Sequence, residues 1–219
     1  MRETNIRMKK KTIAWICTVA VAILFIAALL VYQSNPYNKI SRFERLVNRG
    51  KLKNMSLEIY YVSPGSVFYS PPGDIKTLIS ICTDPDAANR GDAHLKVSGK
   101  QLKEHADIIG KIKKEKLKPT DKEGSSNIRV YYVFKYHGLK LFEVTMWEEY
   151  NNTHFPDNAT EVVYDSIPLI YVNGIRMEAN AEVYRAIIPF VDEEMAKALE
   201  GLAAGVEANT RPQYSDNNN

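Results

Sequence analysis

The chain has 219 residues, 29 Lys+Arg against 26 Asp+Glu, and two cysteines. Five of those cations and only one carboxylate, Glu3, lie in the first 32 residues, so the remainder is nearly neutral; it lacks the overall basic surface that would release counterions from nucleic acid. Beyond residue 32 Cys82 stands alone, which excludes an internal disulfide there and leaves packing to stabilise the domain.

Residues 1–11 read as a basic cytoplasmic tail ending in Lys9, Lys10 and Lys11. Residues 12–32 are an apolar run, and at ~1.5 Å per helical residue such a run reaches about 30 Å, the thickness of a bilayer's hydrocarbon core. A cleaved signal peptide has a shorter apolar stretch that ends at a small-x-small site, and Leu29, Leu30, Val31 and Tyr32 offer none. The expectation is an uncleaved single-pass signal-anchor held in membrane lipid. Cations number five on each side within about twenty residues of the run. Only the lysine triplet abuts it, so the N-terminus is expected in the cytoplasm and the C-terminal domain outside the cell membrane. A cysteine-poor exported domain fits a bacterial cell surface.

Residues 33–53 form a juxtamembrane linker. Ile40, Phe43, Leu46 and Val47 recur at three- and four-residue spacing, which predicts an amphipathic helix, with Gly50 as its C-cap. Residues 54–204, about 150 in all, are long enough for one domain with a core. They predict an α+β fold on a mostly antiparallel sheet with packed helices. The strand 56–62 alternates Leu57, Ile59 and Tyr61 against Glu58, Tyr60 and Val62. The apolar piece 75–82 fits strand or helix. A strand at 94–97 precedes Ser98 and Gln101, a capping-box pair predicting a helix to about Lys116 with Leu102, His105, Ala106, Ile109 and Ile112 buried. The run 111–118 carries five lysines and reads as a solvated helix end; contact with anionic lipid or wall polymer is the alternative.

Two hairpins follow. For 128–147, a three-residue loop at Tyr136, His137 and Gly138 puts Ile128, Val130, Tyr132 and Phe134 on one face with Phe142, Val144 and Met146. A plain two-residue loop mixes the faces. The three-residue register sets Lys135 across from Leu139 and Tyr132 opposite Phe142, with Gly138 at positive φ. The second hairpin turns at Asn173 and Gly174, a type I′ dipeptide, and faces Ile170 with Met177 and Val172 with Ile175. A helix from Ala179 is expected to end at Pro189, and another capped by Asp192 to run to about Ala204. Residues 205–219 are polar and aperiodic and predict a disordered tail.

Catalytic chemistry has residues but no motif. There is no P-loop, GxSxG, HExxH or CxxC pattern, and His94, His105, His137 and His154 never adopt a metal-ligand spacing, so no metal or cofactor is expected. The loop 84–92 holds Asp84, Asp86 and Asp92, hard oxygen ligands for calcium. It departs from the EF-hand pattern at Ala88, Asn89 and Leu95, and turn formation accounts for the same residues.

The leading function is therefore a non-catalytic binding or regulatory module for a protein, wall-polymer or small-molecule partner. The alternative is a surface hydrolase or transferase assembled from Cys82, His94, Glu143 and His154. In Tyr60-Tyr61 and Tyr131-Tyr132 one tyrosine of each pair must leave the core face of the sheet. Tyr60 and Tyr131, with Arg129, Glu143 and Trp147, make the candidate binding face. If that face is open, Tyr60→Ala or Tyr131→Ala leaves stability nearly unchanged; if helices cover it, the rings form a second core layer.

Overall fold

The computed structural model describes residues 15, 18–28, 31, 32, 34–64, 72–121, 127–148 and 169–210. The chain divides into two compact units, residues 1–39 and 40–219. In the first, residues 18–28 are helical and their large apolar side chains are exposed, Leu24 by 68 % and Phe25 by 65 %. Among the described residues no helix is long and apolar enough to cross a membrane. Residues 12–14, 16, 17, 29 and 30 of the predicted span lie outside them. Asn35 Oδ1 accepts the Tyr37 N–H at 3.0 Å, which starts helix α1 (Pro36–Asn48) with Pro36 at a first-turn position where no N–H is missed.

The second unit is α+β, built on a six-stranded antiparallel sheet. Its strands are β1 (Met55–Tyr61), β2 (Ala93–Val97), β3 (Asn127–Tyr136), β4 (Leu139–Glu148), β5 (Leu169–Val172) and β6 (Ile175–Met177), ordered β2-β1-β3-β4-β5-β6. The predicted α1 buries Ile40, Phe43 and Val47 on one face of this sheet. With it lie α3 (Gly99–Glu104), α4 (Ala106–Ile109), α5 (Ala181–Arg185) and α6 (Glu193–Thr210). Leu57, Ile59, Tyr132, Phe134, Phe142, Val144, Ile170 and Val172 supply the strand side of that core, each 0 % exposed. The Tyr132 hydroxyl donates to the Val183 carbonyl at 2.9 Å. Tyr61 donates to the Asp192 carboxylate at 2.6 Å, and the other Asp192 oxygen accepts the Met195 N–H as the predicted cap of α6.

The Asn173-Gly174 hairpin forms in the expected register, Ile170 with Met177 and Val172 with Ile175. The β3–β4 hairpin corrects its prediction. Tyr136 pairs with Leu139 across a two-residue turn, in which both His137 (φ 50°) and Gly138 (φ 79°) are left-handed. A bulge then leaves Leu141 unpaired before Phe134 meets Phe142, so Tyr132 pairs with Val144 instead of Phe142. One extra residue in a strand has the same effect on side-chain parity as one extra residue in a loop, and the uniform apolar face survives with different partners. Asn173 secures the bulge from 30 residues away: its Oδ1 accepts the Glu143 N–H at 2.9 Å, and its N–H donates to the Glu143 carbonyl at 2.8 Å. A second irregularity at Arg129 turns Ile128 off the main core face into a separate cluster on the opposite side.

The helices also differ from expectation. Ser98 and Gln101 open α3, with the Gln101 amide oxygen accepting the Ser98 N–H at 3.0 Å, but the helix breaks at His105 (φ −115°, ψ 29°). A single α-helical turn, α4, and a separate 3-10 turn at Lys114–Lys116 follow, and Ala106 points to solvent. The helix before Pro189 stops at Arg185, and Pro189 lies within a 3-10 turn, Ile188–Phe190, where its missing N–H costs nothing. Helix α6 runs through Gly205 to Thr210, because Arg185 binds both Glu200 and Glu207 and holds the last turns against α5. Residues 205–210 are therefore ordered helix, and 211–219 lie outside the described residues.

Gly99 shows how tightly the first turn of α3 sits on the chain entering β1. A β-carbon there would collide with the Lys53 carbonyl and lie 2.7 Å from the Met55 carbonyl oxygen. Backbone cannot yield as a side chain does. Gly99→Ala is expected to cost about 1–3 kcal/mol in a urea titration, and a loss under about 0.5 kcal/mol would contradict this packing.

Candidate functional site

The second face of the sheet carries a transverse row of polar and aromatic side chains. Register pairs His94 with Tyr60, Tyr60 with Tyr131, Tyr131 with Thr145, Thr145 with Tyr171 and Tyr171 with Arg176, so one row crosses all six strands. Alternation forces this, since each neighbour of these residues along its strand belongs to the opposite face. The His94 and Tyr60 rings stack at 4.2 Å, and Tyr60 and Tyr131 follow at 5.9 Å.

Helix α2 (Ile75–Thr83) covers the β1 and β3 portion of the row and settles the strand-or-helix choice for 75–82. Asp74 caps it by accepting the Thr77 N–H at 2.8 Å. Leu78 and Cys82 pack with Tyr60, Val62, Ile128, Tyr131 and Val133. Tyr60 is 7 % exposed and Tyr131 1 %, so the face is not open at these two predicted residues; they are a second core layer. Their hydroxyls nevertheless reach its polar margin. Tyr131 donates to Glu143 at 3.0 Å, and the Lys140 ammonium donates to both the Tyr131 hydroxyl and the Glu143 carboxylate at 3.0 Å. Burial pushes the Tyr131 hydroxyl up to about 12. Burial likewise raises Tyr60 to about 12, with Glu58 beside it adding to the effect.

The remaining members of the predicted face separate. Arg129 is half-buried at the second irregularity and lines a small cavity of about 40 Å³ with Val130, Met146, Met195 and Leu199, residues of the main core side. The Trp147 side chain lies outside the described residues.

Past Tyr131 the row continues over a concavity of about 520 Å³. Thr145, Glu143, Tyr171, Ile128, Gly174 and the first turn of α2 with Asp74, Ile75 and Lys76 line it. Its volume falls in the range of ~300–1,000 Å³ typical of small-ligand sites. Its walls offer apolar surface, one carboxylate on each side and a lysine. Strand alternation in the sequence puts Glu143 and Thr145 on this face, whereas Tyr171 and Lys76 join them only in the fold. The alternation of β5 could have placed Tyr171, but nothing local announces that α2 begins beside it.

The thiol-enzyme alternative gains no constellation here. Of Cys82, His94, Glu143 and His154, only Glu143 lines the concavity, and His154 lies outside the described residues. The Cys82 thiol donates to the Tyr61 carbonyl at 3.3 Å; burial first, and then the Asp92 carboxylate, push it up to about 12. Alkylation by iodoacetamide at pH 8, read at Cys82 by mass spectrometry, is expected to be at least about a hundredfold slower in the folded chain than in the urea-unfolded one. A comparable rate in both would restore a reactive thiol. In the loop 84–92, Arg90 binds Asp92 at 3.0 Å and Asp84 at 3.6 Å, while Asp92 also accepts the Ser63 N–H. These carboxylates hold the loop to β1, and among the described residues no group of His, Cys, Asp or Glu is placed to hold a metal ion.

No protein-family model, characterised protein or solved structure matches the chain.

Proposed function

We propose that the chain is a single-pass membrane protein whose 12–32 run anchors an extracytoplasmic, non-catalytic binding domain, with the partner held at the β4–β5 concavity. The observation that carries the binding role is that concavity. It continues an aromatic row, has mixed apolar and charged walls, and lies where the described helices leave the sheet face uncovered. The exposure of Val21, Ile23, Leu24, Phe25 and Ile26 supports the anchor, since these side chains face no protein partner among the described residues and match a hydrocarbon solvent. Orientation rests on Lys9, Lys10 and Lys11 beside the run.

Two measurements test this reading. A reporter that works only outside the cytoplasm, fused after Asn219, is expected to be active, and its silence would overturn the orientation. Cross-linking and co-purification of the full chain from its own membrane is expected to recover a partner that Lys76→Glu loses and Cys82→Ser keeps. Equal recovery with both variants would remove the concavity as the site.

A further inference from the structure

Two basic segments distant in sequence form one surface. Lys113 Nζ lies 3.1 Å from Asn48 Oδ1 and 3.9 Å from Glu44, and the Lys114 N–H donates to Glu44 at 3.3 Å, which sets the lysine run directly against α1. On the neighbouring stretch, Gly99 of α3 lies against the carbonyls of Lys53 and Met55. Residues 40–53 and 100–118 together carry twelve cations against four carboxylates, whereas the rest of the chain beyond residue 32 carries twelve against twenty-one. Of the four, Glu44 is already occupied by the lysine run; Glu104, Asp107 and Glu115 remain. Arg45, Arg49, Lys51, Lys111, Lys114 and Lys116 are all exposed and form no ion pair among the described residues. Side chains that needed only solvation would not require this segregation of sign. The near-neutral total conceals a polarised domain.

We propose that this surface docks on the anionic headgroups of the membrane that holds the 12–32 run, fixing the orientation of the domain. The inference rests on the anchoring reading above. Position in the chain selects the partner: Arg42 and Arg45 follow Tyr32 by ten and thirteen residues, so the tether keeps the surface at high local concentration over the headgroups. Weak contacts then suffice. Composition agrees, because lysines outnumber arginines nine to three in these segments, and the point charge of lysine suits a fluid layer of phosphates better than a shaped site. The lysine run is thus more than the solvated end of a helix, which the structure in any case breaks at His105.

The test is amine acetylation of the full chain reconstituted in vesicles, read residue by residue by mass spectrometry. With vesicles rich in phosphatidylglycerol, labelling of Lys51, Lys111, Lys114 and Lys116 is expected to fall at least about threefold relative to pure phosphatidylcholine, and to recover in high salt as the Debye length shrinks. Lys76, Lys96 and Lys197, outside the surface, should be unchanged. The combined variant Lys111→Glu, Lys114→Glu, Lys116→Glu, all at exposed positions, should lose the protection at Lys51. Equal labelling in both vesicle types, protection that extends to the three control lysines, or protection stripped by soluble poly(glycerol phosphate) at matched phosphate concentration would overturn lipid docking. Flotation with neutral vesicles in high salt reads the anchor separately. Its loss overturns the anchoring, whereas flotation with equal labelling overturns the docking alone.

Discussion

Phe43→Ala is expected to cost the domain about 3–5 kcal/mol, the range for truncating a large buried aromatic. Phe43 is 1 % exposed; its ring stacks on Phe142 at 4.4 Å and 17°, and tilts over Phe134 at 5.0 Å and 50°. These two strand residues flank the bulge at Leu141, so the ring that seats α1 also packs the place where strand parity is restored. Domain stabilities of about 5–15 kcal/mol make this loss a large fraction of the whole. Urea titration of the full chain should show a lower midpoint with an unchanged slope. Phe43→Leu, which keeps most of the volume, should lose clearly less. A loss under about 1 kcal/mol for the alanine variant would mean that α1 is not part of the core.

The helix bearing Phe43 was legible because its apolar spacing and its cap are both local signals. The Asn173-Gly174 hairpin was legible for the same reason, as the dipeptide itself specifies two left-handed residues. The first hairpin lacks such a dipeptide. His137 occupies a left-handed position without being Gly, Asn or Asp, and what selects the two-residue turn with a bulge is Asn173, a residue of the other hairpin. Face composition reports only parity, so it could not separate that solution from a longer loop. The extension of α6 is non-local in the same sense, because the ties that hold its end come from Arg185 in α5. At the candidate site the sequence gives the strand alternation that turns Tyr60, Tyr131 and Glu143 to one side. It does not give the choice of helix for 75–83, and that helix decides which of them is buried.

Tyr131 is where that choice has its largest measurable effect. An open face would leave Tyr131→Ala close to wild-type stability. Under α2 the ring is buried against Leu78, Cys82 and Val133, and the expected cost is about 3–5 kcal/mol. Tyr131→Phe keeps the packing and removes only the hydroxyl, which donates to Glu143 and accepts from Lys140. Its expected cost is about 0.5–1.5 kcal/mol, because Lys140 and Glu143 remain paired at 3.0 Å and neither charge is stranded. The two variants divide the residue into a structural ring and a polar hydroxyl at the margin of the concavity. If partner capture goes through Glu143, Tyr131→Phe should alter it while the domain stays folded, since the carboxylate loses one of its two hydrogen-bond donors. Urea titration of both variants, paired with the co-purification assay, reads the two effects separately. A loss below about 1 kcal/mol for Tyr131→Ala would place the ring outside the core and mean that α2 does not seal the β3 part of the row.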